Sequence, residues 1–266
     1  MNTALAWLKR QRTVVPPVVK SERHSWDDVL AAVHKLRQRQ QLRPATPLST
    51  DRILPGKEIA PGLWLSERCH TWPVFAPSLD LSALGMGEID STRLVFFDTE
   101  TTGLAGGTGT RAFMIGLARP ELEGLSVRQY TITTMAAEPA MLRALLDEMA
   151  DAPTLVSYNG KSYDRPLLST RLRLARLPDP LPSLSHLDLL HPTRRRLRSV
   201  LPNCKLSTVE REWLGIVRED DLPGSEAPAA WLSFLRGGSA ANLRRVGEHN
   251  AQDLVSLAAL LLRSLQ

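Results

Sequence analysis

Residues 94–104 read LVFFDTETTGL: Leu94, Val95, Phe96 and Phe97, then Asp98 and Glu100 two positions apart, then Thr101, Thr102 and Gly103. Four apolar residues in a row signal a strand buried on both faces. Such strands do not ordinarily end on paired acids. Alternate side chains of a strand share a face, so both carboxylates project to one side. If the sheet is covered there, they repel one another and lose hydration. Either the pair is a solvated strand end, or a divalent cation with a preference for hard oxygen ligands sits between the acids.

Working outward, Arg93–Thr99 reads as a strand, Arg111–Ala118 as a second and Leu125–Thr134 as a third. Pro139–Met149 is expected to be a helix, with Met141, Leu142, Leu145, Leu146 and Met149 on one stripe. Thr154–Tyr158 follows as a strand, Tyr163–Arg173 as a helix and Ser185–Leu189 as a short fifth strand, before a mostly helical remainder. Strands with close connections, followed by alternating helices and strands, imply a mixed five-stranded sheet flanked by helices, in the α/β class.

Two further stretches put acids in apolar company. In TLVSYNGKSYDRPLL (154–168) a strand runs into Asn159-Gly160-Lys161, and Asp164 stands in the first turn of the next helix. It either favours the helix dipole or belongs to a strand-end site. In EHNAQDLVSLAALLLR (248–263) an apolar helix carries His249 and Asp253, four residues apart on one face near its start. Alone, they could be a simple pair or a cap. Four carboxylates beside apolar segments are harder to dismiss as surface charge.

These three segments resemble, in order and spacing, the three exonuclease motifs of the DnaQ-like (DEDD) 3′–5′ exonuclease superfamily, and their wording is most similar to the bacterial YprB-like branch. The resemblance covers residues 90–266 and implies a ribonuclease-H-like fold. It implies metal-binding carboxylates at Asp98, Glu100, Asp164 and Asp253, two divalent cations (Mg²⁺ or Mn²⁺), and His249 as the base that activates water. One departure stands out: His249 lies four positions before Asp253, the spacing of the Tyr subfamily, whereas the His subfamily uses five. Thr101, Thr102 and Gly103 in the four-glycine loop 101–111 are implied substrate contacts; Tyr158, Asn159 and Lys161 are read beside them as strand or phosphate contacts. The implied activity is 3′–5′ exonucleolytic hydrolysis of DNA or RNA in repair or nucleic-acid processing. An endonuclease on the same fold and a non-catalytic nucleic-acid-binding module are the alternatives.

The 266-residue chain is 43% hydrophobic with a net charge of +5, which is globular composition. Residues 1–60 hold 11 Lys and Arg against 5 Asp and Glu, and the remainder holds 22 against 23, so the basicity is N-terminal. This divides the chain into a basic extension (1–89) and an exonuclease domain (90–266). The extension is expected to comprise an arm (1–24), a helix beginning at Ser25, a linker (43–62) and short strands within IAPGLWLSERCHTWPV. It could contact phosphate or a helicase or repair partner. A second basic cluster, PTRRRLRS with Arg194–Arg196 and Arg198, is either a solvated helix face or a track for a nucleic-acid backbone. No apolar run reaches membrane-spanning length. The N-terminus has its apolar piece before its charges, the wrong order for a secretory signal, so a cytoplasmic location is expected. Cys69 and Cys204 show no ligand spacing and are read as unpaired thiols.

Overall fold

In the computed structural model, which describes residues 49–103, 109–219 and 221–266, strands come first and helices follow. β1 (Lys57–Ala60) and β2 (Leu63–His70) form a hairpin, and β3 (Ser78–Asp80) pairs only with β4 (Glu88–Asp90). β5 (Leu94–Thr101), β6 (Ala112–Glu121) and β7 (Gly124–Ile132) make an antiparallel meander. Then come α1 (Glu138–Glu148), β8 (Thr154–Ser157), α2 (Asp164–Leu174), β9 (His186–Asp188) and α3 (Leu190–Leu197). α4 (Ala227–Leu235) and α5 (Ala241–Ser264) complete the series. The expected arm at 1–24 and the helix from Ser25 lie outside the described residues. Among the described residues, no helix is long and apolar enough to cross a membrane, and Cys69 and Cys204 are free thiols.

The main sheet has seven strands in the order β1-β2-β7-β6-β5-β8-β9, not the five expected. β5, β8 and β9 run parallel, and the other neighbours are antiparallel. The extra strands come from the stretch assigned to the extension and linker, and one compact unit spans Pro47–Gln266. The reason is hydrogen bonding: β7 without a neighbour would expose a row of backbone N–H and C=O groups. β2 covers that row over its whole length, from Leu63 opposite Ile132 to His70 opposite Leu125. Most of β2 is half-buried or exposed, so its sequence carries little of the apolar alternation that announces a strand.

Side chains of β5 divide between two cores. Val95 and Phe97 pack with Met141, Leu142 and Leu145 of α1, Leu168 of α2 and Trp231 of α4. Leu94 and Phe96 pack with Leu254, Leu257 and Leu261 of α5. Trp231 is fully buried, stacks on Phe113 with ring centroids 5.1 Å apart and donates its indole N–H to the Ile132 carbonyl at 2.7 Å. Burying so large a side chain with its donor satisfied anchors α4 against the sheet.

α5 crosses the meander at a point the sequence prepares with a glycine. Asp98, Gly116 and Gln129 stand side by side on β5, β6 and β7. Asn250 of α5 fits over this row, and a Cβ on Gly116 would come within 2.0 Å of its Oδ1. Gln129 Nε2 donates to Asn250 Oδ1 at 2.9 Å, and Asn250 Nδ2 donates to Asp98 Oδ2 at 2.9 Å. The completely buried Asn250 is thereby satisfied and sets the helix at a fixed height on the sheet.

Candidate active site

Three elements converge on the C-terminal end of β5. The strand supplies Asp98 and Glu100, α2 brings Asp164 and α5 brings His249 and Asp253. A hollow of about 160 Å³ is lined by Asp98, Thr99, Glu100, Thr101, Tyr163, Gly224, His249 and Asp253. Glu100 and Asp164 are buried; Asp98, His249 and Asp253 are partly exposed.

Asp164 begins α2, where the helix dipole favours a carboxylate, and it accepts a hydrogen bond from Thr99 Oγ1. Thr99 lies between Asp98 and Glu100, so it couples the first acid pair to the third acid. The turn before α2 hangs on Asp188 at the end of β9. Its carboxylate accepts from the backbone N–H of Asn159 (2.8 Å), Lys161 (3.1 Å) and Leu190 (3.1 Å). Asn159 has φ 67°, a left-handed conformation that asparagine tolerates better than most residues.

The cluster is short of positive charge. Burial holds the Asp98 carboxyl well above the usual range, and the neighbouring Asp253, Asp164 and Glu100 add to the effect. Glu100 is raised well above its usual value by burial, then by Asp253 and Asp164. Burial lifts Asp164 to about 6, against the pull of the Thr99 hydrogen bond. Asp253 is also raised by burial, but Arg218 opposes the rise. Several carboxylates sharing one desolvated volume favour a cation strongly, and an all-oxygen set suits Mg²⁺ or Mn²⁺. Chemically, the residues fit such an ion. Among the described residues, however, no three acidic, His or Cys side chains already enclose a common metal position.

Arg218 supplies counter-charge from the segment before α4. Its guanidinium makes two bonds to the buried Glu210, Nη2 to Oε1 at 2.6 Å and Nε to Oε2 at 2.7 Å, and Nη2 also reaches Asp253 Oδ1. Asp221 Oδ1 lies 2.6 Å from His249 Nδ1. With Nδ1–H donating to Asp221, the lone pair of Nε2 is left on the Asp253 side, where the two residues approach at 3.8 Å. Nothing in the sequence around these residues signalled Arg218 or Asp221, which stand about 30 positions before their partners on α5, or Glu210, which holds Arg218 from eight positions before it. Asp188 had a signal, an acid ending a buried strand just as Asp98 does, and Asn250 lies inside the third motif.

The expected substrate contacts separate into two groups. Thr101 lines the hollow; its hydroxyl and that of Tyr163 both donate to the Gly103 carbonyl, at 2.9 and 2.8 Å. Thr102 closes the base of the glycine-rich loop, with its Oγ1 accepting from Arg111 N–H at 3.0 Å. Tyr158, Asn159 and Lys161 do not line the hollow. The Tyr158 hydroxyl donates to the Cys204 carbonyl at 2.7 Å, while Asn159 and Lys161 are exposed on the turn held by Asp188. Tyr163, not singled out in the sequence, takes the position at the wall.

The family model for the RNase H superfamily matches residues 95–264, the stretch that carries all of these groups. The chain belongs to the RNase H superfamily. Its relatives in the curated proteins include the uncharacterized protein YprB of Bacillus subtilis (strain 168), 39% identical over 198 residues. That match covers 74% of this chain and 47% of YprB, so the chain spans about half the length of that relative. Among solved structures, the family B DNA polymerase of the hyperthermophilic archaeon Pyrobaculum calidifontis aligns with a TM-score of 0.54 at 15% identity, covering 88% of this chain and 34% of the polymerase. At that identity the likeness speaks for the fold alone: this RNase H superfamily member has the superfamily's nuclease fold.

Proposed function

We propose that the chain is a metal-dependent 3′–5′ exonuclease acting on DNA or RNA. The observation that carries the reading is that Asp98, Glu100, Asp253 and His249 line one small hollow, with the buried Asp164 bonded to Thr99 of its wall. Each acid alone has a bland explanation; four raised carboxylates in one volume do not.

The four carboxylates would hold two divalent cations, which when bound lower the pKa of a water and neutralise charge on the phosphate. Thr99 keeps Asp164 aimed inward and Asn250 does the same for Asp98. His249, oriented through Nδ1 by Asp221, would accept the water proton at Nε2. As the deprotonated water bonds to phosphorus the P–O3′ bond breaks; the 3′ oxygen stays on the shortened strand and takes a proton from solvent, and the released nucleotide keeps the 5′-phosphate.

The wall formed by Thr101, Gly103 and Tyr163 supports action at a strand end. It would meet the terminal sugar beside the acids. Lys161, exposed on the turn before Asp164, is assigned to a backbone phosphate. The decisive experiment is digestion of 5′-labelled single-stranded and duplex DNA and RNA with Mn²⁺, Mg²⁺ or EDTA, beside Asp98→Ala and Asp253→Ala. A metal-dependent ladder shortening from the 3′ end, absent from both variants, is expected. Internal cuts would replace this reading with an endonuclease, and no cleavage by folded, metal-supplied protein would reject both.

A further inference from the structure

Several surface arginines sit on carboxylates, as Arg68 does on Glu248 and Arg128 on Glu67 and Glu148, while others, such as Arg143 and Arg176, stand exposed singly. On α3 and its C-cap four exposed arginines lie together. Arg194, Arg195, Arg196 and Arg198 have no carboxylate partner among the described residues. Unpaired positive charge concentrated on one short helix attracts a polyanion.

A second observation makes this more than a charged face. Trp213, on the π-helical turn Glu210–Leu214, packs against α3 and is only half-buried. The Arg196 guanidinium stands 5.2 Å from the indole centroid, and that of Arg263, near the end of α5, stands 6.0 Å from it. Between these elements opens a hollow of about 280 Å³, lined by Leu84, Pro192, Arg195, Arg196 and Trp213 among others, with no carboxylate in its wall. An apolar floor with an aromatic face and cations at the rim is the chemistry of a nucleotide in a single strand: base against indole, phosphate against guanidinium. The hollow is remote from the acids. Ser264 lines it, and along α5 at 1.5 Å per residue Ser264 lies about 16 Å beyond Asp253.

We propose that the Arg195–Arg196–Trp213 hollow is a second contact for the substrate strand, holding a nucleotide several positions from the scissile bond. The inference rests on the nuclease reading and deepens it. It gives the enzyme a preference for strands long enough to span both sites and makes short oligonucleotides poor substrates through binding, not through chemistry.

The test is fluorescence anisotropy of a 5′-labelled oligodeoxythymidine in EDTA, where no cleavage occurs, over a range of salt. Arg195→Ala/Arg196→Ala should weaken binding about tenfold and reduce the slope of log affinity against log salt by about one to two. Trp213→Leu should weaken it by a similar factor, about fivefold or more, with the slope unchanged. With Mn²⁺, both variants should cleave a dinucleotide, too short to reach the hollow, with the wild-type kcat/KM. Strand affinities equal to wild type would overturn this inference alone. A matching loss of dinucleotide cleavage would also overturn it, because the substitutions would then be acting on the catalytic centre. Wild-type protein that binds neither this strand nor the matching oligouridine would reject the nuclease reading as well.

Discussion

Arg218 and Asp253 form an ion pair inside the acid cluster, with the same guanidinium anchored on the buried Glu210. Arg218 is thus an internal cation at the carboxylate most accessible from α5. On the proposed function it would stabilise the metal-free fold and compete with a divalent ion at Asp253. Arg218→Ala should destabilise the metal-free protein by about 3–5 kcal/mol, because it leaves Glu210 buried and unpaired. Adding Glu210→Gln should recover most of that loss, and the double variant should bind Mn²⁺ more tightly than wild type. Urea unfolding and titration calorimetry read the two effects. Weaker Mn²⁺ binding by the folded double variant would show that Arg218 holds Asp253 in place for the metal and does not compete with it.

The remaining acids predict the opposite balance of stability and metal binding. Asp98→Asn removes a charge from a crowded, desolvated volume, so the variant should unfold at higher urea than wild type in EDTA. Wild type, in turn, should gain about 2.7 kcal/mol when Mn²⁺ is present at a hundred times its dissociation constant. The variant should gain far less. Equal Mn²⁺ stabilisation of both proteins would remove Asp98 from the metal site.

Gly116 is where the sheet and α5 meet most closely. Gly116→Ala drives a methyl group into Asn250, and overpacking of this kind costs about 1–3 kcal/mol. The displaced helix also carries His249 and Asp253, so metal affinity should fall together with stability. Asn250→Ala in the Gly116→Ala background should restore part of the stability but not the metal affinity, since Asp98 then loses its donor. Full recovery of both would mean that Asn250 only fills space.

His186 governs a stability effect in mildly acidic solution. Burial lowers its pKa to about 4, and its Nε2 faces Ser157 Oγ at 2.8 Å. Between that value and the ordinary 6.5, the unfolded chain binds a proton that the native state does not, so stability rises with pH through this window. Relative to His186→Gln, the wild type should lose up to about 3 kcal/mol as pH falls from 7 to 4. Parallel pH profiles for the two proteins would exclude His186 as the cause.

Acids were legible in the sequence wherever they interrupted apolar runs. LVFFDTE announced Asp98 and Glu100 because the cost of burying a carboxylate makes it conspicuous at the end of a buried strand. The helix HNAQDLVSLAALLL showed His249 and Asp253 for the same reason. Tyr158 was read as a contact because it adjoins the second motif, but adjacency in the chain does not fix where a hydroxyl points; it turns to the Cys204 carbonyl and Tyr163 takes the wall. A short strand was expected where β2 lies, but not its place in the main sheet, because its side chains are mostly half-exposed and burial left little pattern in them.

The sequence by itself determined the central strands, the helices that cover them and four acids whose company is too apolar for surface charge. Local periodicity and the cost of burying charge are written in neighbouring residues. Only the tertiary structure decided what those acids meet: Arg218 on Asp253, Asp221 on His249, Asn250 over Gly116, and Trp213 beneath the arginines of α3. These pairings join residues about 17 to 130 positions apart or more. They depend on how helices cross the sheet, and no local pattern of the chain encodes that crossing.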